Sequence, residues 1–185
     1  MARNLEGQGG ERRGSARRGY YQQRTMIIGI DPGKNGAIVV RHNGRITMFD
    51  IPKDKENNID VEKLAGIFKS VQHWSVVDKT VAVIEKVHAL PREGVTSSFN
   101  FGYVNGLLVM AATIYFDKVV FVTPMRWKKD LGLTESGLEY KQKKDKARLF
   151  AIGLFPQAAK ELRLKKHNDR AEALLLTEWY IRKGG

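Results

Sequence analysis

Ile27-Ile28-Gly29-Ile30-Asp31-Pro32-Gly33 is the stretch of this sequence that decides its fold. The short apolar run Met26–Ile30 predicts a buried β-strand, and Pro32-Gly33 predicts the turn that ends it. Asp31 therefore stands at the carboxyl end of the first strand. It either initiates the turn, as aspartate commonly does before Pro-Gly, or presents a carboxylate at the edge of a sheet.

Outward from this strand, the pattern predicts further strands and then helices. A tight hairpin is indicated at residues 42–44, His-Asn-Gly, and Asp60 caps a helix whose apolar side chains recur at helical spacing through Val71. The other predicted elements are strands Ala37–Arg41, Arg45–Asp50, Val81–Ile84 and Val119–Val122, helix Gly106–Phe116, and helices over residues 139–154 and 168–182.

Three hairpin-connected strands followed by α/β crossovers predict a five-stranded mixed sheet with helices on both faces, the α/β pattern of ribonuclease-H-like folds. Because such crossovers are right-handed, the fourth strand is expected beside the first. Asp31 and Glu85 each follow an apolar strand. They are therefore expected to be neighbours at the sheet edge where open α/β sheets bind ligands.

The chain of 185 residues has the size of one compact domain, and a hydrophobic content of 42% is enough for a core. It has no cysteine, which excludes disulfides, thiolate metal sites and a cysteine nucleophile. No apolar run approaches the roughly 20 residues that span a bilayer, so no membrane segment is expected. Residues 1–25, rich in Gly, Arg and Gln, are expected to form a disordered basic arm, and residues 26–185 the folded domain.

The net charge is +12, from 32 Lys and Arg against 20 Asp and Glu. Residues 1–25 contribute +4 of this charge, so the folded part is itself basic. Such an excess favours a polyanionic partner, nucleic acid before an acidic membrane surface. The composition fits a reducing compartment, but it does not decide between the cytoplasm of a bacterial or phage system and a eukaryotic organelle or nucleus.

Two more acids, Asp169 and Glu172, open the last predicted helix three residues apart and so share one face. Together with Asp31 and Glu85 they predict a two-metal site. Hard divalent ions take oxygen ligands, and a pair of them clamps the attacking and leaving oxygens of a phosphodiester.

These acids also have ordinary structural explanations. Glu85 could form an ion pair with Lys86 or Arg92. Asp169 and Glu172 are spaced like a capping box, with Asp in place of the usual Ser or Thr.

Residues 28–33 resemble the opening motif of RuvC-type Holliday junction resolvases. Residues 83–89 followed by 94–102 are similar to the second motif of the phage-borne and organellar branch of that family, and further similar segments follow in order at residues 123–128, 143–146 and 167–174. The resemblance covers roughly residues 26–182. It implies a ribonuclease-H-like fold, a homodimer, Mg²⁺ or Mn²⁺ with two ions per active site, and paired nicks across branched DNA, a four-way junction.

The resemblance implies roles for the residues at matching positions. Asp31, Glu85 and Glu172 match the positions of three metal-binding acids of the family. Lys144 matches a lysine that stabilises phosphate charge near the scissile bond. Related sequences often read His-Asp-Gly-Arg-Ala-Glu, whereas residues 167–172 read His-Asn-Asp-Arg-Ala-Glu. The acid is shifted by one position, so either Asp169 or His167 is a candidate to complete the site.

Bacterial members of that family carry an aromatic wedge three residues after the second acid, where this chain has His88. Stacking at the junction centre is therefore expected from Phe99 or Phe101, for which a place in the core is the alternative. Basic residues expected along the phosphate path, with a steep loss of binding in salt, are Lys128, Lys129, Lys141, Lys143, Lys144, Lys165 and Lys166.

Three other classes of protein share some of these features. Actin-like ATPases and sugar kinases also open with a strand, Asp and a Gly turn, but they need a second lobe that this chain is too short to supply, so no small-molecule substrate is expected. A ribonuclease-H-like nuclease acting on structured RNA or other branched DNA would share the metal site. A non-catalytic nucleic-acid-binding protein would have no need to retain the acids.

Overall fold

The computed structural model describes residues 25–33, 35–74, 79–86, 94–134 and 140–185, with the side chains of residues 140–143 left undescribed. Its centre is one five-stranded sheet in the order β3-β2-β1-β4-β5. The strands are β1 Thr25–Asp31, β2 Ala37–His42, β3 Arg45–Asp50, β4 Lys79–Glu85 and β5 Lys118–Val122. The predicted disordered arm was residues 1–25. Thr25 instead begins β1, and residues 1–24 lie outside the described residues.

The sheet is mixed, as predicted. β1 pairs antiparallel with β2, and β2 with β3, through a hairpin turn in which Asn43 and Gly44 both have positive φ. β4 lies parallel to β1 with Ile30 opposite Ile84, and β5 lies parallel to β4. The predicted placement of the fourth strand beside the first is confirmed. Asp31 and Glu85 each follow one member of the Ile30–Ile84 pair, so they end neighbouring strands.

Helices cover both faces of the sheet, which confirms the predicted α/β architecture. The helices are α1 Val61–Gln72, α2 Val95–Tyr115, α3 Pro124–Asp130, α4 Tyr140–Leu154 and α5 Asn168–Arg182. One buried cluster lies between the sheet and α3, α4 and α5, and another lies between the sheet and α1 and α2. Among the described residues, no helix is both long enough and apolar enough to cross a membrane.

Two helices differ from the prediction. α2 begins at Val95 rather than Gly106, because its first half carries Ser, Asn and Gly and lacks the apolar density by which the second half was recognised. α3 was not predicted at all. Thr123-Pro124 was interpreted only as the end of β5, but Thr123 is the N-cap of α3 and Pro124 occupies its first turn, where a missing N–H costs nothing.

A close backbone approach at Gly29 fixes the last helix on the first strand. A Cβ placed on Gly29 would stand 1.9 Å from the backbone oxygen of Ala173 and 2.9 Å from Cγ2 of Thr177. Only a residue without a side chain lets α5 lie this close to β1. Ala171, Glu172 and Ala173 are buried on that contact side.

We expect Gly29→Ala to lower the free energy of unfolding by at least about 2 kcal/mol, because the added methyl meets backbone atoms that have no rotamer by which to move away. Urea unfolding followed by circular dichroism measures this change. The matched control is Gly66→Ala on α1, where an added Cβ has no heavy atom within 4 Å. That substitution should stabilise the protein by about 0.5–1 kcal/mol, and equal effects at both glycines would contradict the packing argument.

Candidate active site

The carboxyl ends of β1 and β4 bring two acids into the protein interior. Asp31 ends β1 and Glu85 ends β4, and their exposed fractions are 8% and 7%. The turn after Asp31 is closed by a hydrogen bond from the backbone N–H of Gly36 to the carbonyl of Gly33. Asp31 is thus a buried strand residue at the sheet edge.

α5 adds two acids to the same edge. Glu172 lies one turn into α5 and is only 4% exposed, whereas Asp169 in the first turn is half-buried. Burial raises the pKa of Asp31 well above its usual value, and the negative charges of Glu172, Glu85 and Asp169 raise that pKa further. The structure therefore brings together all four acids that the sequence singled out.

Three donors contact this acidic cluster. The indole N–H of Trp127 donates to Oε1 of Glu85 at 2.7 Å, and the ammonium of Lys128 donates to Oε1 of Glu172 at 3.0 Å. The ammonium of Lys144 donates to Oδ1 of Asp169 at 2.7 Å. Burial raises the pKa of Glu85, and the Trp127 hydrogen bond opposes that rise. The alternative of an ion pair between Glu85 and Lys86 is wrong, and Arg92 lies outside the described residues.

The donor chemistry of the cluster fits a hard divalent cation. Its ligand atoms are carboxylate oxygens, and the mutual repulsion of buried carboxylates is relieved by positive charge. In the part of the chain that the structure describes, no three acidic or histidine side chains are already placed to hold an ion together. Glu172 and Asp169 instead each contact a lysine.

His167 lies at the start of α5, but its charged neighbours do not include any of the four acids. Burial lowers the pKa of its imidazole, helped by Arg170 and Lys166 and opposed by Asp50 and Glu161. None of the four acids is among the groups that shift it. His167 is also the N-cap position of α5 and makes no side-chain capping bond there.

The capping-box alternative for Asp169 and Glu172 is therefore wrong. Asp169 follows the N-cap residue by two positions, and its carboxylate accepts a hydrogen bond from Lys144. Glu172 lies buried against Lys128. Both side chains contact lysines on other helices, and neither caps α5.

Several of the predicted DNA-contacting lysines surround the acids. Lys165 and Lys166 line a cavity of about 730 Å³ whose wall also includes Lys144, Asp169 and Lys53. Lys128 is half-buried beside Glu172, and Lys129 on the same helix is exposed. The side chains of Lys141 and Lys143 lie outside the described part of the structure.

The two candidate stacking residues lie on the first half of α2. Phe99 is 73% exposed and Phe101 is half-buried, so neither belongs to the buried core, which was the alternative for them. His88, at the position of the family's wedge, lies outside the described residues. The exposed ring of Phe99 is accessible for stacking on a nucleic-acid base.

The sequence pattern gave Trp127 no role, although it lies in the segment 123–128 that resembles the family. The Thr123-Pro124 cap pattern, followed by an aromatic residue, was the available signal for α3. Without that helix, nothing in the sequence links Trp127 to Glu85, which is 42 residues away.

The comparisons with known proteins concern the fold. Over 86% of this chain and 96% of the other, the structure is similar to the RuvC of Thermus thermophilus in complex with a Holliday junction substrate, at 20% sequence identity and a TM-score of 0.57. A second Thermus thermophilus RuvC structure matches with the same coverage and identity and a TM-score of 0.50. No protein-family model matches the sequence, and no curated protein matches it significantly. The likeness confirms the ribonuclease-H-like fold.

We expect Asp31→Asn to stabilise the metal-free protein at neutral pH. Since the pKa of Asp31 is raised in the folded state above its usual 3.8, the folded chain holds this proton longer than the unfolded chain. The wild-type free energy of unfolding therefore falls as pH rises from about 4 through the raised pKa, and the variant loses this contribution. Urea unfolding between pH 4 and pH 8 in a chelator measures the difference, which should grow with pH.

The control is Glu56→Gln, which neutralises an exposed acid outside the cluster. Its difference from wild type should stay near zero across the same range. A constant offset for Asp31→Asn at every pH would contradict the raised pKa.

Proposed function

We propose that this protein is a metal-dependent endonuclease that resolves four-way (Holliday) DNA junctions by paired, symmetric nicks. The observation that carries the proposal is the convergence of Asp31, Glu85 and Glu172 at one sheet edge, in a fold shared with a RuvC that was solved with a Holliday junction substrate. Fold alone does not define an activity, so the acids carry the chemical part of the argument.

The proposed reaction is hydrolysis of a phosphodiester by water attack on phosphorus, with departure of the 3′ oxygen. Asp31, Glu85 and Glu172 would hold Mg²⁺ or Mn²⁺, two ions per site, and Asp169 is the further acid close enough to join them. The bound ions would supply positive charge that activates the water and stabilises the leaving oxygen. Asp169 is preferred over His167, because Asp169 acts on the pKa of Asp31 and His167 does not.

Two lysines would complete the electrostatics of the site. Lys144 contacts Asp169, and its charge also lowers the pKa of Asp31. Lys128, on α3, forms an ion pair with Glu172 on α5. Both ammonium groups stand where a phosphate approaching the acids would meet them, and an ammonium is a strong donor to phosphate oxygens.

The DNA path would continue from the acids along the cavity that Lys165 and Lys166 line. A net charge of +12 favours a polyanion, and contacts from lysines to phosphates make binding independent of sequence but sensitive to salt. Phe99, exposed on α2, is the candidate for stacking on an unpaired base at the junction centre.

Selectivity for a junction would come from a homodimer, since two sites at a fixed separation match two strands of a branched substrate. α2 offers a surface for it. Its large exposed apolar residues fall within a 100° arc at 100° per residue, opposite its buried side: Val95, Phe99, Tyr103, Met110 and Ile114. Phe99 is assigned to DNA, and we call the last three residues, Tyr103, Met110 and Ile114, the α2 stripe. An apolar stripe of this length on a water-facing helix fits a second copy of the chain.

Purified protein should nick a synthetic mobile four-way junction at symmetric positions in Mg²⁺ and not in EDTA. Asp31→Asn and Glu172→Gln should each reduce the rate at least about 100-fold, because each removes charge that holds the ions, and several kcal/mol of barrier correspond to that factor or more. Denaturing gels with each strand labelled in turn measure position and rate.

The matched control is Glu62→Gln on α1, an exposed acid that should leave cleavage unchanged. Linear duplex of the same sequence and a structured RNA serve as competing substrates. Preferred cutting of the RNA would favour the ribonuclease alternative, while junction cutting that survives Asp31→Asn or occurs in EDTA would falsify the assigned site.

We expect Ile114→Glu to shift the protein from dimer to monomer, because a charge buried within an apolar interface is left without solvent or partner. Sedimentation velocity measures the mass. Leu149→Glu is the control, since Leu149 is a comparably exposed apolar residue on α4, away from the α2 stripe. A monomeric wild type, or equal dissociation by both variants, contradicts the assignment of the stripe.

A further inference from the structure

Trp127 has an unusual place for a core aromatic residue. It is fully buried in the cluster beneath α3, α4 and α5, and its only polar atom donates to the carboxylate of Glu85 at 2.7 Å. Packing in the core explains why a large aromatic ring stands at this position. It does not account for a short hydrogen bond to one of the acids at the sheet edge.

The helix that carries Trp127 is itself held from several sides. Thr123 caps its first turn by accepting from the backbone N–H of Arg126. At its end, the backbone N–H of Leu133 donates to the carbonyl of Lys128 at 2.8 Å, and Asp130 forms ion pairs with Arg126 and Lys183, both at 3.0 Å. α3 is therefore a fixed support, and the indole of Trp127 is held on it at a set distance from β4.

A hydrogen bond to one carboxylate oxygen restricts the whole group. Glu85 has three side-chain torsions, and the hydrogen bond from the Trp127 N–H to Oε1 narrows the positions that its carboxylate, including Oε2, can take. Outer contacts of this kind govern how well a ligand group binds metal.

We infer that Trp127 is a positioning residue for Glu85: its indole N–H holds one carboxylate oxygen so that the other serves a divalent cation. The inference rests on the proposed function, because it concerns the same acids. It extends the site from the sheet edge to a residue of the core, on a helix that contributes no acid to the cluster.

The chain contains a matched comparison. Trp179 also donates its indole N–H to a carboxylate, that of Asp130, which is none of the four acids and also forms ion pairs with Arg126 and Lys183. Trp127→Phe and Trp179→Phe therefore remove the same kind of bond, one at the site and one away from it. A second change at position 127, to β-(3-benzothienyl)alanine, keeps the bicyclic ring and replaces the N–H by sulfur.

The test is Mn²⁺ binding to the full-length protein without DNA, measured by titration calorimetry. Both changes at Trp127 should weaken Mn²⁺ binding about tenfold, and Trp179→Phe should leave it unchanged. In junction cleavage, the Mg²⁺ concentration at half-maximal rate should rise by a similar factor for the two position-127 variants. Their rate at saturating Mg²⁺ should stay within a few-fold of wild type.

Wild-type Mn²⁺ affinity in the benzothienyl variant would overturn the inference, and so would an effect confined to Trp127→Phe, which would indicate ring packing alone. If Trp127→Phe fails to fold, the benzothienyl variant decides. Junction cutting by wild type together with unchanged metal affinity in the variants would overturn the positioning role but not the proposed function. A wild type that neither binds Mn²⁺ nor cuts would overturn both.

Discussion

The contact between Gly29 and the backbone of Ala173 is the constraint on which the rest of the site depends. A helix that lies on a strand at normal side-chain distance would carry its acids well above the sheet. Without a Cβ at Gly29, α5 lies against β1, and Glu172, one residue before Ala173, reaches the level of Asp31. The glycine of the opening motif is thus as much a part of the site as the aspartate two positions later.

The cluster that this contact creates is electrostatically costly. Burial raises the pKa of Asp31, and repulsion from the neighbouring carboxylates raises it further. The protein offsets part of the cost with donors from two other helices, Lys128 from α3 and Lys144 from α4. Local conflict of this kind, sustained by a well-packed surrounding fold, is characteristic of functional sites.

The parts of the fold that follow local rules were predictable. Asp60 caps α1, the hairpin turns at Asn43 and Gly44, and the handedness of crossovers places β4 beside β1. The supporting contacts of the site were not, because they join residues distant in sequence through a short helix with little periodicity of its own. A seven-residue helix shows fewer than two turns of pattern, and its existence here depends on Thr123 and on packing.

The acids come from positions as far apart as Asp31 and Glu172, and the last of them sits on a helix packed in the middle of the core. Contacts of such long sequence separation carry a high loop-closure entropy cost. No partly folded form that lacks α5 contains the cluster. Any chemistry at this end of the sheet therefore requires α5 to be packed on β1, so local unfolding of α5 would abolish the site even if the rest of the sheet stayed intact.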